Sequence, residues 1–534
     1  MESVLLLDTT LRDGMQGEGI SLTVADKLRI AEKLDQLGIA YIEGGFPAAN
    51  PKDQEFFQHA LTLPLKHAKL TAFGSTRRPT GTAKEDEGLR ALIDSGAPVI
   101  TIVGKAWDFH VTEALRLPFE ANLDMIEDSV RWLKEHDREV IFDAEHFFDG
   151  YQHNPDYAIA TLQAAVKGGV DFVTLCDTNG GTLPGQVGEI VKRVCELVSV
   201  PVGVHTHNDC ELAVANTLAA VTAGATMVHG TINGIGERCG NANLASIIPN
   251  LELKMGKSCL PSPDHLRLLT QTSRFVGEIA NLVPHSYQPF VGHSAFAHKG
   301  GIHVSAIARN PDTYEHVRPD LVGNERRILV SELSGLSNLQ HRAAELGFDV
   351  EHRKDDVRAL LAQIKELEYQ GYQFEGAEAS EELLFVKALG EYRDWFEFDF
   401  MRVEATKGND STIISQAIIK LSVDGEMVHT VAEGNGPVNA LDAALRKALQ
   451  PFYPSIKTMH LTDYKVRVLD EKDGTAAKVR VLIESTDGSR VWRTIGVSEN
   501  VIEASWEALV DSMNYFLVRV MPEPRHAELT ATTR

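Results

Sequence analysis

The chain has 534 residues, of which 43% are hydrophobic and 24% charged, so its composition is that of a globular protein with about three domains. Its 75 Asp and Glu residues outnumber its 52 Lys and Arg residues, which gives a net charge of −23 and argues against nucleic acid as the main partner. The five cysteines form no C-x-x-C pair, no signal peptide is visible, and no apolar run reaches the roughly 20 residues of a membrane span. A cytoplasmic protein with reduced thiols is therefore expected.

In the first half of the chain, helical patterns repeatedly end at a glycine that is followed by an apolar run. Gly38, Gly96, Gly169 and Gly224 mark such ends, because glycine adopts the left-handed conformation that closes a helix. The runs after them are continuous rather than alternating, which is typical of parallel strands buried on both faces. Eight strands are expected, at residues 4–8, 40–44, 70–74, 99–103, 140–144, 172–176, 200–205 and 227–232.

Eight strand–helix units within residues 1–260 predict a (β/α)8 barrel, the TIM barrel, as the catalytic domain. An open, doubly wound parallel sheet is the alternative.

The rest of the chain has two different patterns. Residues 261–395 predict helical linker subdomains, and residues 396–521 predict a small α+β domain with an internal repeat. In each repeat an Asp-Gly pair, at Asp424 and Asp487, joins two alternating runs, which indicates a β-hairpin, and a helix follows. Such a duplicated unit suits either ligand sensing or dimerisation. Residues 522–534 are expected to be a frayed tail.

Candidate metal ligands follow the first and the seventh predicted strands. His205 and His207 are one residue apart on a strand, so their rings project from the same face. Loops that follow barrel strands meet at one end of the barrel, so Asp13 in the first loop is expected to lie close to His205 and His207. Two imidazoles and one carboxylate suit a divalent cation such as Mn²⁺, Zn²⁺, Mg²⁺, Co²⁺ or Fe²⁺. Asn208 and Asp209 precede a helix and are expected to cap it.

Three segments carry a family resemblance: DTTLRDGMQGEG, HTHND and NGIGERCGNANL. Together they resemble the metal-dependent TIM-barrel synthases that perform Claisen condensations, namely the 2-isopropylmalate, homocitrate and citramalate synthase family. The C-terminal repeat resembles the regulatory LeuA-type domain of that family. The segments FDAEHFFDGY and LVGNERRILVSELSGLSN are most similar to its long citramalate-forming members. This implies condensation of acetyl-CoA with pyruvate, the first step of a threonine-independent route to isoleucine.

The resemblance also implies roles for individual residues. Asp13, His205 and His207 match the metal ligands, and Asn241 matches a weaker fourth ligand. Arg12 matches the arginine that polarises the keto oxygen.

Five further positions match the substrate site and the linker region of the family. Glu145 and Thr178 match residues that line the substrate site, and Gln16 supports the first loop. His298 and Tyr314 match a pair that family members often bring from the partner subunit, with His298 as the expected general base. The resemblance further implies a homodimer or larger homo-oligomer, with isoleucine as a feedback effector of the C-terminal domain.

Three other functions are open at this point. A 2-isopropylmalate synthase would accept 2-oxoisovalerate instead of pyruvate, a difference of two carbons in the pocket. A metal-dependent acyl-CoA lyase such as 3-hydroxy-3-methylglutaryl-CoA lyase shares DTTLRDG and H-x-H, but Cys239 is followed here by Gly240 and not by the proline of the lyase loop. A non-catalytic amino-acid sensor would not need the intact Asp13, His205 and His207 set.

Overall fold

The computed structural model describes residues 3–329, 335–350, 352–390, 392, 394–407, 413–469 and 477–520. The expected tail at residues 522–534 lies outside this part of the chain. The chain divides into two compact units, the first formed by Met1–Phe296 and Glu315–Arg326 and the second by Ala297–Tyr314 and Arg327–Arg534.

The first unit is built on eight parallel strands that form a closed barrel in chain order. The strands β1 to β8 are Leu5–Asp8, Tyr41–Gly45, Lys69–Ser75, Val99–Lys105, Glu139–Glu145, Phe172–Asp177, Val202–Thr206 and Met227–Gly230. All eight predicted strands are confirmed, and pairing of β1 with β8 closes the sheet. The open doubly wound sheet is therefore wrong.

Helices follow the barrel strands along the chain. The helices α1 to α12 are Val24–Leu37, Pro51–Ala60, Glu87–Asp94, Asp108–His110, Phe119–Glu135, Phe147–His153, Pro155–Gly168, Pro184–Leu197, Ala213–Ala223, Leu244–Leu253, Pro263–Leu266 and Leu269–Ile279. A capping box between Thr23 and Asp26 starts α1, and Gly38, with φ 93°, ends it in the left-handed conformation. The strands are buried between these helices and the barrel interior, which explains their continuous apolar character.

The second unit begins with short elements and helices and continues into two sheets. The short strands β9 and β10 and the helices α13 to α16 are Ala297–His298, Arg327–Ile328, Gly301–Arg309, Leu336–Glu345, Lys354–Gln370 and Glu378–Leu389. Two three-stranded sheets follow, each with one helix. The strands β11 to β16 are Glu397–Lys407, Ile413–Val423, Glu426–Gly434, His460–Val468, Val479–Thr486 and Val491–Ser498, and the helices α17 and α18 are Pro437–Leu449 and Val501–Tyr515.

Both repeats have the order strand, strand, strand, helix, so the predicted hairpin–helix unit is confirmed with one strand added at its start. In the first hairpin Val423 pairs with Glu426, and the two turn residues Asp424 and Gly425 both have positive φ, which matches the right-handed twist of the strands. The two helices and the inner faces of both sheets share one hydrophobic core. Within the described residues no helix is both long and apolar enough to cross a bilayer.

Candidate active site

The residues predicted to bind a metal ion lie together at the carboxyl end of the barrel strands. Asp13, His205 and His207 are all buried, and one ligand atom of each lies within 4.8 Å of the others. His205 Nε2 is 3.2 Å from Asp13 Oδ2, and the two imidazole rings are 5.2 Å apart between centroids. Asn241 forms a β-bridge with His207, which brings the expected fourth ligand to the same place.

Side-chain hydrogen bonds of Asp8 and Thr10 explain why this constellation forms. The Asp8 carboxylate accepts hydrogen bonds from the backbone N–H and the hydroxyl of Thr10, each at 2.9 Å, and this closes the turn after β1. The Thr10 hydroxyl in turn accepts a hydrogen bond from the Ile232 N–H in the loop after β8. The DTTLRDG segment is therefore bound to the residue directly before the NGIGERCGNAN segment, and Asp13 lies at the barrel mouth.

The glycines of NGIGERCGNAN serve the backbone of this loop. Gly240 has φ 90°, and a Cβ there would lie 2.0 Å from the Gly234 carbonyl oxygen. Gly236 has φ 158°, and a Cβ there would lie 2.1 Å from the amide nitrogen of Asn241. Since real Cβ atoms do not approach a backbone oxygen so closely, a side chain is excluded at position 240, and at position 236 it would displace the side-chain amide of Asn241. The loop consequently folds tightly enough to place Asn241 beside His207.

The protonation of Asp13 and His207 suits a cation ligand set. Burial opposes the charge of His205, but the adjacent Asp13 carboxylate raises its pKa. Burial opposes the charge of Asp13, but Arg12 and the two histidines hold the pKa of that carboxyl well below its usual range. Burial and the neighbouring His205 lower the pKa of His207 to about 4, so its imidazole is neutral at pH 7. A carboxylate and a neutral imidazole are the forms that coordinate metal ions.

Unpartnered buried atoms give a structural test of the metal hypothesis. Asp13 Oδ1, His207 Nδ1 and Asn241 Oδ1 are buried and have no hydrogen-bond partner among the described residues. A buried polar atom without a partner costs about 1–3 kcal/mol, so native proteins rarely keep several in one place. A cation would satisfy oxygen and nitrogen donors arranged in this way, and the residues present fit a divalent metal ion.

Arg12 lies beside the cluster and is held by a carboxylate that the sequence analysis missed. Its guanidinium donates to both Glu43 oxygens, at 3.0 and 3.2 Å, and lies 3.4 Å from Asp13. The Phe73 ring lies against it, 3.8 Å from the guanidinium carbon to the ring centroid. The bidentate pair fixes the position of Arg12, and its fixed charge can stabilise an oxyanion.

The opposite wall of the mouth contains Glu145 and Thr178. Glu145 at the end of β5 pairs in register with Lys105 at the end of β4, and the Lys105 ammonium donates to its carboxylate. The Thr178 hydroxyl accepts a hydrogen bond from the His146 N–H at 2.9 Å. Gln16, in contrast, lies in a short turn and is exposed. Among the described hydrogen bonds, its side chain forms none with Glu145 or Thr178.

Lys105 has a sequence signal, because it is a charged residue at the carboxyl end of the apolar run of β4, whereas Glu43 lies inside β2. A charged residue at the end of a buried parallel strand points into the site of a TIM barrel.

The prediction that Asn208 and Asp209 of the HTHND segment cap a helix is half right. The Asn208 side chain accepts from the first N–H of α9 at 3.2 Å, but Asp209 forms a two-pronged ion pair with Arg238. For Asp209 the prediction is wrong, because the ion pair takes its carboxylate.

His298 and Tyr314 belong to the second unit. His298 lies in β9, which pairs in parallel with β10, and its side chain is half-buried. Tyr314 is 46% exposed, and its ring stacks on His303 with centroids 4.2 Å apart. Both side chains are therefore accessible to a partner or substrate, and their expected catalytic roles stay predictions.

Comparison with known protein families agrees with this architecture. Residues 3–276 match the HMGL-like family model, residues 290–371 match the homocitrate synthase post-HMGL domain-like model, and residues 375–517 match the LeuA allosteric (dimerisation) domain. The (R)-citramalate synthase of Aquifex aeolicus is 57% identical over 520 residues, which cover 97% of this chain and 98% of that protein. The (R)-citramalate synthase of Geobacter sulfurreducens is 55% identical over 518 residues, 97% of this chain and 98% of the relative.

The chain belongs to the (R)-citramalate synthase family. A 2-isopropylmalate synthase from Methanocaldococcus jannaschii is only 31% identical over 522 residues, which cover 97% of this chain and 95% of that protein. The alternative of a 2-isopropylmalate synthase is therefore less well supported than membership of the citramalate synthase family.

Proposed function

We propose that this chain is an (R)-citramalate synthase that condenses acetyl-CoA with pyruvate and hydrolyses the thioester that results. The observation that carries the proposal is the buried set of Asp13, His205 and His207, combined with full-length similarity to (R)-citramalate synthases. The products are (R)-citramalate and CoA. Hydrolysis of the thioester makes the overall reaction irreversible.

Asp13, His205 and His207 would hold the divalent cation, with Asn241 as a fourth ligand. When bound, such an ion supplies Lewis-acid polarisation of the keto group of a chelating 2-oxo acid. Arg12 adds a fixed positive charge where the keto oxygen becomes an alkoxide, and Glu43 keeps the guanidinium in place. Thr178 and Glu145 line the side of the pocket that receives the acid, and the ammonium of Lys105 donates to the Glu145 carboxylate and orients it.

The nucleophile is the methyl carbon of acetyl-CoA. A base removes one of its protons, the carbanion forms a bond to the keto carbon of pyruvate, and the alkoxide takes up a proton. Water then attacks the thioester carbonyl, and CoA leaves as its thiol. In this proposal His298 is the base and Tyr314 assists it.

Product analysis tests the proposed function directly. Purified protein would be incubated with acetyl-CoA and either pyruvate or 2-oxoisovalerate, with and without a chelator. Chiral chromatography with mass spectrometry should find (R)-citramalate as the main product, formed only with pyruvate and lost with the chelator. A product formed mainly from 2-oxoisovalerate would instead identify a 2-isopropylmalate synthase. Cleavage of citramalyl-CoA without net synthesis would identify a lyase.

Replacement of His298 with alanine tests the general base. The variant should keep metal and pyruvate binding but exchange the methyl protons of acetyl-CoA with deuterated water about 10²–10⁴-fold more slowly, the usual contribution of a positioned base. Proton NMR of acetyl-CoA in the presence of a non-reacting pyruvate analogue measures this exchange. His59, exposed at the end of α2, gives the matched alanine control. Wild-type exchange in the His298 variant would remove this residue from the mechanism.

We further propose that the C-terminal domain controls the activity by feedback inhibition, and that isoleucine is the inhibitor that binds there. A cavity of about 580 Å³ lies between the two repeats, lined by α17 and by the start of β14, next to the GNGPV turn. Asp442 and Arg446 form an ion pair of 2.8 Å at its wall. These opposite charges complement the ammonium and carboxylate of an amino acid, and Val438 and Leu461 give the cavity an apolar part.

Filling this cavity should abolish inhibition. Val438→Trp is expected to leave the kcat unchanged and to raise the isoleucine concentration for half-inhibition at least about tenfold, since the bulky ring occupies the space of the effector. Initial-rate inhibition curves measure the effect, and thermal unfolding checks the fold. Asp463→Asn, at a half-buried position on β14 that does not line the cavity, is the control. Undiminished inhibition of the Val438 variant would place the effector elsewhere.

A further inference from the structure

The side chain of Arg238, in the loop after β8, contacts the loops that follow the two preceding strands. Its guanidinium donates to both carboxylate oxygens of Asp209, at 2.8 and 2.9 Å, in the loop after β7. It also donates to the backbone carbonyl oxygen of Thr178, at 2.7 Å, in the loop after β6. One side chain therefore joins three neighbouring loops at the carboxyl end of the barrel strands, the end that carries the site in a TIM barrel.

The backbone of these loops is closely packed around the contact. Arg238 has φ 55°, a left-handed conformation that a residue with a side chain adopts only at a cost. Gly180 has φ 62°, and a Cβ there would lie 2.5 Å from Asp209 Oδ2 and 2.8 Å from the Asp209 backbone nitrogen. The Cys210 N–H also donates to the Gly180 carbonyl oxygen, at 3.2 Å. The loops after β6 and β7 are thus in direct contact, and Asp209 is fixed for its ion pair with Arg238.

Thr178 is held by hydrogen bonds from two sides. Arg238 donates to its carbonyl oxygen, and its hydroxyl oxygen accepts a hydrogen bond from the His146 N–H at 2.9 Å. Because that oxygen accepts from a backbone donor, its own proton points away from His146, and none of the described residues accepts it. A hydroxyl held in this way can donate its proton to the carboxylate of a bound acid.

We propose that Arg238 is a positioning residue for Thr178 and so helps the site to bind the 2-oxo acid. Asp209 fixes the plane of the guanidinium through the bidentate pair, and the guanidinium fixes the Thr178 carbonyl. The Thr178 hydroxyl then donates to the carboxylate of pyruvate. Arg238 acts through Thr178 and not by its own contact with the acid. This inference rests on the proposed function, in which Thr178 lines the pocket that receives the acid.

Pyruvate binding tests the proposal without a measurement of turnover. Isothermal titration calorimetry of the Mn²⁺-loaded protein would give the Kd of pyruvate for the wild type, Thr178→Val, Arg238→Met and Arg238→Lys. Loss of the Thr178 donor should weaken pyruvate binding about tenfold or more, the usual effect of a hydrogen bond to a charged group. Arg238→Met should approach the same Kd. Arg238→Lys should lie between it and the wild type, because an ammonium keeps the charge but lacks the planar fork.

A double variant separates positioning from a general loss of structure. If Arg238 acts through Thr178, Arg238→Met combined with Thr178→Val should bind pyruvate as weakly as Thr178→Val alone, because the hydroxyl to be positioned is already absent. In steady-state kinetics, Arg238→Met should raise the KM for pyruvate and leave the KM for acetyl-CoA unchanged. Elemental analysis should find the same Mn²⁺ content in all variants.

Arg193→Met is the matched control, since Arg193 is an exposed arginine on α8 that pairs with Glu196 at 3.0 Å. It should bind pyruvate as the wild type does. Wild-type pyruvate affinity in Arg238→Met would overturn the proposal, and so would a double variant in which the two single losses multiply, or a loss of Mn²⁺ from Arg238→Met.

If circular dichroism shows that Arg238→Met does not fold, Arg238→Lys decides the outcome. Wild-type affinity in that variant would show that only the charge at position 238 matters, and would overturn the positioning role. A wild type that holds Mn²⁺ but binds no pyruvate would contradict the proposed function itself, and with it this inference.

Discussion

Replacing His207 with alanine is expected to remove the metal and reduce kcat by about 10³-fold or more. His207 offers one of three buried ligand atoms within 4.8 Å of one another. A Lewis acid supplies several kcal/mol of charge stabilisation, and each 1.4 kcal/mol or so is a factor of ten in rate. Elemental analysis of the dialysed protein measures the metal, and release of free CoA from acetyl-CoA and pyruvate, followed with a thiol reagent, measures the rate.

The control for this experiment is His59→Ala, which removes an exposed imidazole from the same unit. It should keep the metal content and turnover of the wild type. Circular dichroism should show that both variants are folded, because the alanine at position 207 leaves the barrel hydrogen bonds of β7 in place. A His207→Ala variant with unchanged metal content would refute the ligand assignment.

Replacement of Arg12 with alanine should reduce kcat by about 10²–10³-fold and also destabilise the protein. The loss of rate follows because a fixed donor to a developing oxyanion contributes this much. The loss of stability, about 3–5 kcal/mol, follows because the completely buried Glu43 carboxylate loses its bidentate partner. Steady-state kinetics and urea unfolding measure the two effects separately.

A double variant separates the two roles of Arg12. Arg12→Ala combined with Glu43→Gln removes the unpaired charge, so it should recover most of the lost stability but none of the lost activity. Arg12→Lys should recover part of the activity only, because an ammonium cannot form the bidentate pair with Glu43. If the double variant regained wild-type kcat, Arg12 would have only a structural role.

The barrel could be predicted from the sequence because its signals are local. Left-handed glycines such as Gly38 and Gly224 end helices, and the apolar strands that follow are continuous. The metal ligands could also be predicted, because H-x-H at the carboxyl end of β7 places two rings on one face and the first loop adds Asp13. Strands β11 and β14 are harder to predict. Most of their side chains are exposed, so no strong apolar alternation marks them.

The residues that support the site could not be inferred in the same way. Glu43 lies inside β2, and only the closed barrel shows that its side chain converges on Arg12. Lys105 becomes the partner of Glu145 only through the register of β4 and β5. Such contacts join residues that are tens of positions apart in the chain, so local patterns do not contain them.

Anomalous diffraction from crystals grown with Mn²⁺ and pyruvate tests most directly whether Asp13, His205 and His207 hold a metal ion at the substrate site. We expect one Mn²⁺ peak per chain between these three side chains, with pyruvate bound beside it and Arg12 near the keto oxygen. A Mn²⁺ peak at other residues, or pyruvate bound away from these three side chains, would contradict it.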